Sequence, residues 1–213
     1  MKVLVIGATG RVGSLLVKKL SEKGHTVLAG SREDKTDKSL SNVEYVRIDL
    51  TSDPDTLALA MQDGVEAVYF TSGSRGKNLL QIDLHGAIKT MQAAEKAGVK
   101  RYIMLSSMFA LQPERWEEDF LKDIPDYNIA KHYADHYLIH NTDLDYTILQ
   151  PGGLEETPPT GKIQINVQET GKNSISDVVE TLACILGTTA TVKKVIIMHE
   201  GDTPIKEALE HVV

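Results

Sequence analysis

The feature that most constrains this chain is the junction between Lys2-Val3-Leu4-Val5-Ile6 and Gly7-Ala8-Thr9-Gly10-Arg11-Val12-Gly13. A β-branched apolar run stops at a glycine, and a helical repeat (Val12, Leu15, Leu16, Lys19, Leu20) begins at once, so the glycines occupy a strand-to-helix turn. Such a turn is where a dinucleotide pyrophosphate binds. Gly7 permits the sharp turn, Gly10 lets the backbone approach the phosphates with no Cβ in the way, and Gly13 lets the helix pack close on the strand with its N–H groups aimed at the anion. A glycine heptad alone is weak evidence. Its place behind a buried strand and inside a β-α-β pattern makes it specific.

His25 to Ala29 supplies the second strand of a unit about thirty residues long. A chain that reads NAD places Asp or Glu about twenty residues beyond the glycines to hold the ribose 2′-hydroxyl. Here the strand runs into Gly30-Ser31-Arg32. A hydroxyl and a guanidinium suit a 2′-phosphate, so NADP(H) is the preferred cofactor and NAD(H) the alternative; Arg32 also reads as a solvated surface cation. Glu33 and Asp34 follow, and would repel that phosphate if they pointed inward. Val43 to Ile48 alternates like a strand and ends at Asp49-Leu50. Asp49 reads either as an acceptor for the adenine amino group or as an acid at the N-terminus of the helix opened by Ser52-Asp53-Pro54.

Val65 to Phe70 is a fourth strand, left by the small polar loop Thr71-Ser72-Gly73-Ser74, which is able to pass close to the cofactor. A helix from about Lys77 to Ala97 and a strand from Lys100 to Leu105, closed by Ser106-Ser107, continue the alternation. Parallel neighbours need helical crossovers, so this regularity implies an α/β fold with a doubly wound parallel sheet, helices on both faces and ligands at the strands' carboxyl ends. Between Ala110 and Asp126 the pattern breaks into an acidic segment carrying Trp116 and Phe120, which reads as a lid over the substrate or as a surface helix packed by those aromatics.

In the helix from Tyr127 to about Asn141, Tyr127 and Lys131 are four apart and share a face with Ala130, Ala134 and Leu138. A cation beside a phenol favours the phenol's ionised form, which suits a proton donor to a carbonyl, although Tyr-x-x-x-Lys alone is a common structural pairing. His132, His136 and His140 repeat on the opposite face. With no acidic third ligand placed beside them, they read as an exposed or subunit-facing stripe, and no metal is expected. A sixth strand, Asp145 to Leu149, ends at Gln150-Pro151-Gly152-Gly153-Leu154. Beyond it come strands at Lys162 to Val167 and Lys194 to Met198 and helices at Ser176 to Leu186 and Pro204 to His211. These are too few for a second domain and read as a small substrate-side lobe, 151–213, on a core of 1–150.

With a net charge of −7 and no Lys/Arg block, the chain lacks the footprint of a nucleic-acid binder or a polybasic membrane anchor, and a small-molecule substrate is the expected partner. No apolar run reaches the roughly 18 residues of a membrane span, and the first one breaks at Gly7, too early for a secretory leader. The single cysteine, Cys184, fits a reducing compartment, so a cytoplasmic monomer or homodimer is expected.

The glycine loop, Ser107, Tyr127 with Lys131, and Pro151-Gly152-Gly153, all in this order, resemble the short-chain dehydrogenase/reductase superfamily. The opening Gly-Ala-Thr-Gly-Arg-Val-Gly, Tyr127-Asn128-Ile129-Ala130-Lys131, Ser174-Ile175-Ser176-Asp177-Val178-Val179 and Gly201-Asp202-Thr203-Pro204-Ile205 are similar to segments of its small atypical NAD(P)H-binding, NmrA-like bacterial group. The resemblance runs essentially end to end and implies a Rossmann-type fold. It further implies Tyr127 as acid/base, Lys131 on the nicotinamide ribose, Ser107 (or Ser106) on the substrate oxygen, and Pro151 to Leu154 along the nicotinamide. Cofactor contacts would come from Gly7, Thr9, Gly10, Arg11, Val12, Gly13, Ser31, Arg32, Asp49, Leu50, Thr71, Ser72 and Gly73. Thr71-Ser72-Gly73-Ser74 stands where many relatives have Asn-Ala-Gly, and Gln150 where an arginine often precedes the Pro-Gly. The implied activity is NADP(H)-dependent reduction of a small carbonyl compound; the alternatives are a flavin or quinone reductase and a non-catalytic NADPH-sensing regulator.

Overall fold

The computed structural model describes residues 1–32 and 39–212, so Glu33 and Asp34 lie outside the described residues. The first strand, β1 (Lys2–Ile6), shows how the sheet is covered. Val3 and Val5 enter a core shared with α1 (Arg11–Glu22) and α5 (Ile175–Ile185); Leu4 and Ile6 enter one shared with α2 (Pro54–Leu59), α3 (His85–Lys96) and α4 (Pro125–His140). Both faces of the strand are therefore apolar, which is why it reads as an unbroken hydrophobic run.

The same two-sided burial extends through β2 (Thr26–Ser31), β4 (Ala67–Phe70), β5 (Arg101–Leu105) and β6 (Asp145–Pro151). With β3 (Val43–Arg47) outside β2, these six strands are parallel in the order β3-β2-β1-β4-β5-β6. The C-terminal third extends the sheet. A short pair, β7 (Gly153–Glu155) with β9 (Lys172–Ser174), stands apart from it, while β8 (Lys162–Ile165), β10 (Lys194–Glu200) and β11 (Thr203–Pro204) join its far edge. Of these, β10 runs parallel beside β6, and β8 pairs antiparallel with both β10 and β11. The last helix, α6 (Ile205–Glu210), packs against α5 and β8. Among the described residues no helix is long and apolar enough to cross a membrane.

Local chemistry sets the element ends. Asp53 caps α2 by accepting from the N–H groups of Asp55 and Thr56, with Pro54 in the first turn, where its missing N–H costs nothing. The helix expected from Lys77 starts later. The chain first passes through Arg75 and Gly76 with φ of 54° and 78°, then a π-helical turn over Leu79–Leu84, and only then becomes α3. Buried Asp83 accepts the Ser74 N–H on both oxygens (3.2 and 3.0 Å), and a Cβ on Gly86 would sit 3.1 Å from Leu50 Cβ. The wide turn reconciles these two fixed points.

At Gly13 an added Cβ would lie 2.1 Å from Gly7 O and 2.8 Å from Thr71 Oγ1. Gly13→Ala is therefore expected to destabilise the fold by about 1–3 kcal/mol, the usual cost of overpacking, seen as a lower urea midpoint at unchanged m-value. A variant as stable as its parent would show that α1 does not rest on this loop.

Candidate active site

The chain runs from β1 outward to β2 and β3, then returns across the sheet to β4 on the other side of β1. Loops leaving β1 and β4 therefore diverge and open a crevice at the carboxyl edge. Gly7 turns there with φ of 88°, and a Cβ on it would stand 2.7 Å from Ser72 Cα. Thr71 locks the two strand ends together, its N–H and its hydroxyl each donating to Ile6 O at 2.9 Å. At Gly10 the backbone is extended (φ −76°, ψ 171°), no side chain caps α1, and its first turn carries no acid. A Cβ there would meet only Gly7 O, at 3.2 Å. The N–H groups of that turn thus face an open space, with the electrostatics an anion needs.

That space is a cavity of about 1110 Å³. Gly7, Thr9, Gly10, Arg11 and Val12 line it from the end of β1, Ser31 and Arg32 from β2, Asp49 and Leu50 from β3, and Thr71, Ser72 and Gly73 from β4. Ser107, Tyr127, Lys131 and Pro151 to Leu154 line the same cavity. Gly13 is the one residue of the expected set that does not line it; its role is the close packing behind Gly7. Asp49 Oδ1 accepts from the Thr51 N–H at 2.9 Å and hydroxyl at 2.7 Å, contacts that hold its carboxyl below the usual range; the acid that caps α2 is Asp53.

Lys131 is 2% exposed and donates from Nζ to Leu105 O at 3.0 Å. Its ammonium stands 5.6 Å from the centre of the Tyr127 ring and 5.7 Å from that of Phe70, so aromatic faces shelter the charge. Of the two serines after β5, Ser106 donates its hydroxyl to Asp135 at 2.6 Å, and both it and Ser107 belong to the cavity wall. The loop beyond β6 is clamped from behind: Gly152 N–H is shared between Met198 O (2.9 Å) and Asn173 Oδ1 (2.8 Å), and Gly153 N–H donates to Gly171 O at 2.9 Å.

The segment between Ala110 and Asp126 divides the two roles expected of it. Phe120 lines the cavity together with Ile124. Trp116 packs edge-on to His132, 5.6 Å between ring centres, and donates its indole N–H to Phe109 O at 3.1 Å. His132 Nδ1 lies 3.0 Å from Ala110 O, and the rings of His136 and His140 are 4.3 Å apart. Among the described residues no group of three or more His, Cys, Asp or Glu is placed to hold a metal. Sequence reasoning missed the wall from Arg75 to Asn78, with Ile82 and Asp83, and also Phe120's partner Ile124. It missed Asp135 and Gln150 behind the site too, although Asp135 follows Lys131 by four residues and so falls on the same helix face.

The sequence profile of the NAD(P)H-binding family matches residues 7–188, a span that includes the glycine loop, Tyr127 and Lys131. The chain belongs to this NAD(P)H-binding family. It is 47% identical to the oxidoreductase ylbE from Lactococcus lactis, whose crystal structure superposes with a TM-score of 0.95 over 99% of this chain and 95% of that one. It is also 38% identical to the uncharacterized sugar epimerase YhfK of Bacillus subtilis over 99% of each chain, and 28% identical to sanguinarine reductase of Eschscholzia californica over 73% of this chain and 70% of that one. The cavity fits a dinucleotide on its own evidence: an uncapped helix N-terminus, open space at Gly10, and cations at Arg11 and Arg32.

Because Gly10 has φ and ψ that any residue adopts, Gly10→Val should fold, with its branched side chain in the crevice. Binding of both NADPH and NADH is expected to be lost, as measured by fluorescence titration. A valine variant with near wild-type affinity would remove the pyrophosphate from this loop.

Proposed function

We propose that this protein is an NADP(H)-dependent oxidoreductase that reduces a small carbonyl compound. The observation that carries the reading is convergence: Ser107, Tyr127 and Lys131 line the same cavity as the glycine loop. When bound, the reduced nicotinamide supplies the hydride. Tyr127 donates its hydroxyl proton to the substrate oxygen, so that carbonyl, hydride and proton together give an alcohol. Ser107 hydrogen-bonds that same oxygen as negative charge grows on it. Lys131, anchored on Leu105 O, holds its charge beside the Tyr127 ring and would contact the nicotinamide ribose. Pro151 to Leu154, whose glycines are held by Asn173, Met198 and Gly171, line the cavity and would lie along the nicotinamide. The reductase among the relatives supports hydride chemistry.

A second reading is favoured by the apolar side chains of Phe120, Ile124 and Leu154 at this end of the cavity: reduction of a quinone or flavin, which needs no proton from Tyr127. Tyr127→Phe separates the two. For a carbonyl reductase, kcat should fall by about 10²–10⁴-fold with the NADPH Kd little changed. A quinone or flavin reductase would keep most of its rate. A protein that binds NADPH and oxidises it with no acceptor, in either form, is a sensor instead.

NADP preference rests on Arg32, which lines the cavity next to Ser31. Arg32→Ala should weaken NADPH binding about 10–100-fold, the worth of a hydrogen bond to a charged group, and leave NADH nearly unaffected. Equal losses for the two cofactors would mean that Arg32 does not read the 2′-phosphate.

A further inference from the structure

Behind Tyr127 and Lys131 lies a polar cluster that the proposed chemistry does not use. Asp135, one helical turn beyond Lys131 on α4, is 0% exposed, and Gln150 on β6 is 1% exposed. Asp135 Oδ2 accepts from the Ser106 hydroxyl at 2.6 Å and from Gln150 Nε2 at 2.9 Å. The other two oxygens of this carboxyl and carboxamide, Asp135 Oδ1 and Gln150 Oε1, are buried and have no hydrogen-bond partner among the described residues. Buried acceptors are costly to leave unmet. A proton on Oδ1 donated to Oε1 would give both atoms a partner, beside the existing Nε2–H to Oδ2 contact. Turning the carboxamide over does not remove the requirement, because Oε1 would then face Oδ2, acceptor to acceptor, and a proton would again have to lie between them.

We infer that Asp135 is a positioning acid of the site, whose carboxyl, while protonated, is a neutral acid paired with Gln150, a pairing lost when it ionises. The inference rests on the oxidoreductase reading for its role, although not for the pair itself. Two adjacent residues at the end of β5 are tied to α4, Leu105 through Lys131 and Ser106 through Asp135, and Gln150 brings in the end of β6. Ser107 follows directly. The carboxyl group thus fixes Ser107, on the β5 side, relative to Tyr127 and Lys131 on the helix. Lys131 is the charged group that acts on Asp135; β5 and β6 present the uncharged Ser106 and Gln150 to it. The π-helical turn that also packs on α4 carries Asp83, which is engaged with the Ser74 N–H.

Burial pushes the Asp135 carboxyl up to about 6, against the lowering influence of Ser106, Gln150 and Lys131. A carboxyl raised in the folded state stabilises the fold most below its unfolded value of about 3.9, and that stability is lost as pH climbs toward 6. The loss corresponds to about a hundredfold in the folding constant. Above that range the ionised carboxylate stands one turn from Lys131 and alters the field at the Tyr127 face.

The test uses the full chain. With aspartate carboxyls labelled with ¹³C, one resonance is expected to titrate near pH 6, and the proposal is overturned if all titrate below about pH 5. In Asp135→Asn the side-chain amide replaces the acid O–H as donor to Gln150 Oε1, fixing the neutral pair at every pH. Urea unfolding at about pH 4.5 and pH 7.5 should show the variant's folding constant rising about 20–30-fold relative to wild type between the two; a constant ratio overturns the pair. If the variant does not fold, the carboxyl titration decides alone. For the positioning role, the wild-type kcat profile for NADPH oxidation should inflect between about pH 5 and 7, and the variant should lack that inflection; parallel profiles would leave Asp135 with no role in the site. Should no acceptor be reduced by either protein, the oxidoreductase reading fails while the titration still judges the pair, and NADPH affinity against pH takes the place of turnover.

Discussion

The approach of α1 to the turn after β1 is the contact on which the remaining geometry depends. Gly7 O occupies the place where a side chain at Gly13 would begin, and Thr71 bridges to Ile6 O from the neighbouring strand. The end of β1, the start of α1 and the distant end of β4 meet there with almost no side-chain volume between them. Close packing of this kind tolerates little displacement, because interiors have few voids to absorb it. The position of the α1 N-terminus over the crevice is therefore fixed by backbone contacts, and so is the direction in which its N–H groups point.

From that fixed point the cavity extends along the carboxyl edge to α4, where the chemistry is built from a different kind of contact. The charge of Lys131 is sheltered by two aromatic rings and spent on a single carbonyl. Asp135, Ser106 and Gln150 continue the polar chain into the core. One end of the site is thus set by glycines and shape, the other by a buried hydrogen-bond network that ties two strands to one helix. Networks of this type rigidify a structure only when every member is satisfied, so the protonation of one carboxyl carries weight beyond its own bond.

Much of this was legible in the residues. Strands buried on both faces appear as continuous apolar runs, and Val3 to Ile6 and Ala67 to Phe70 could be placed to within a residue or two for that reason. The glycine loop was legible because each glycine answers a steric demand, and Tyr127 and Lys131 because a spacing of four puts them on one helix face. The wall from Arg75 to Asn78 was not. Its shape depends on buried Asp83 reaching back to Ser74 through a π-helical turn, a tertiary contact that no periodicity announces. Asp135 escaped notice for a related reason: a carboxylate on a helix is ordinarily a solvated residue, and only the sheet edge above it makes this one a core residue. Trp116 and Phe120, four residues apart in a segment of unclear pattern, went to opposite sides of it.

The clamp on Gly152 and Gly153 comes from Asn173, Gly171 and Met198, all contributed by the last stretch of the chain, with β10 inserted beside β6. On the ribosome, strands β1 to β4 and the glycine turn emerge early and can collapse on local contacts, whereas the far end of the crevice has no fixed backbone until residue 198 has been made and docked. The two ends of the crevice are thus completed at different times, the glycine-loop end early and the Gly152 end only once the last strands have docked.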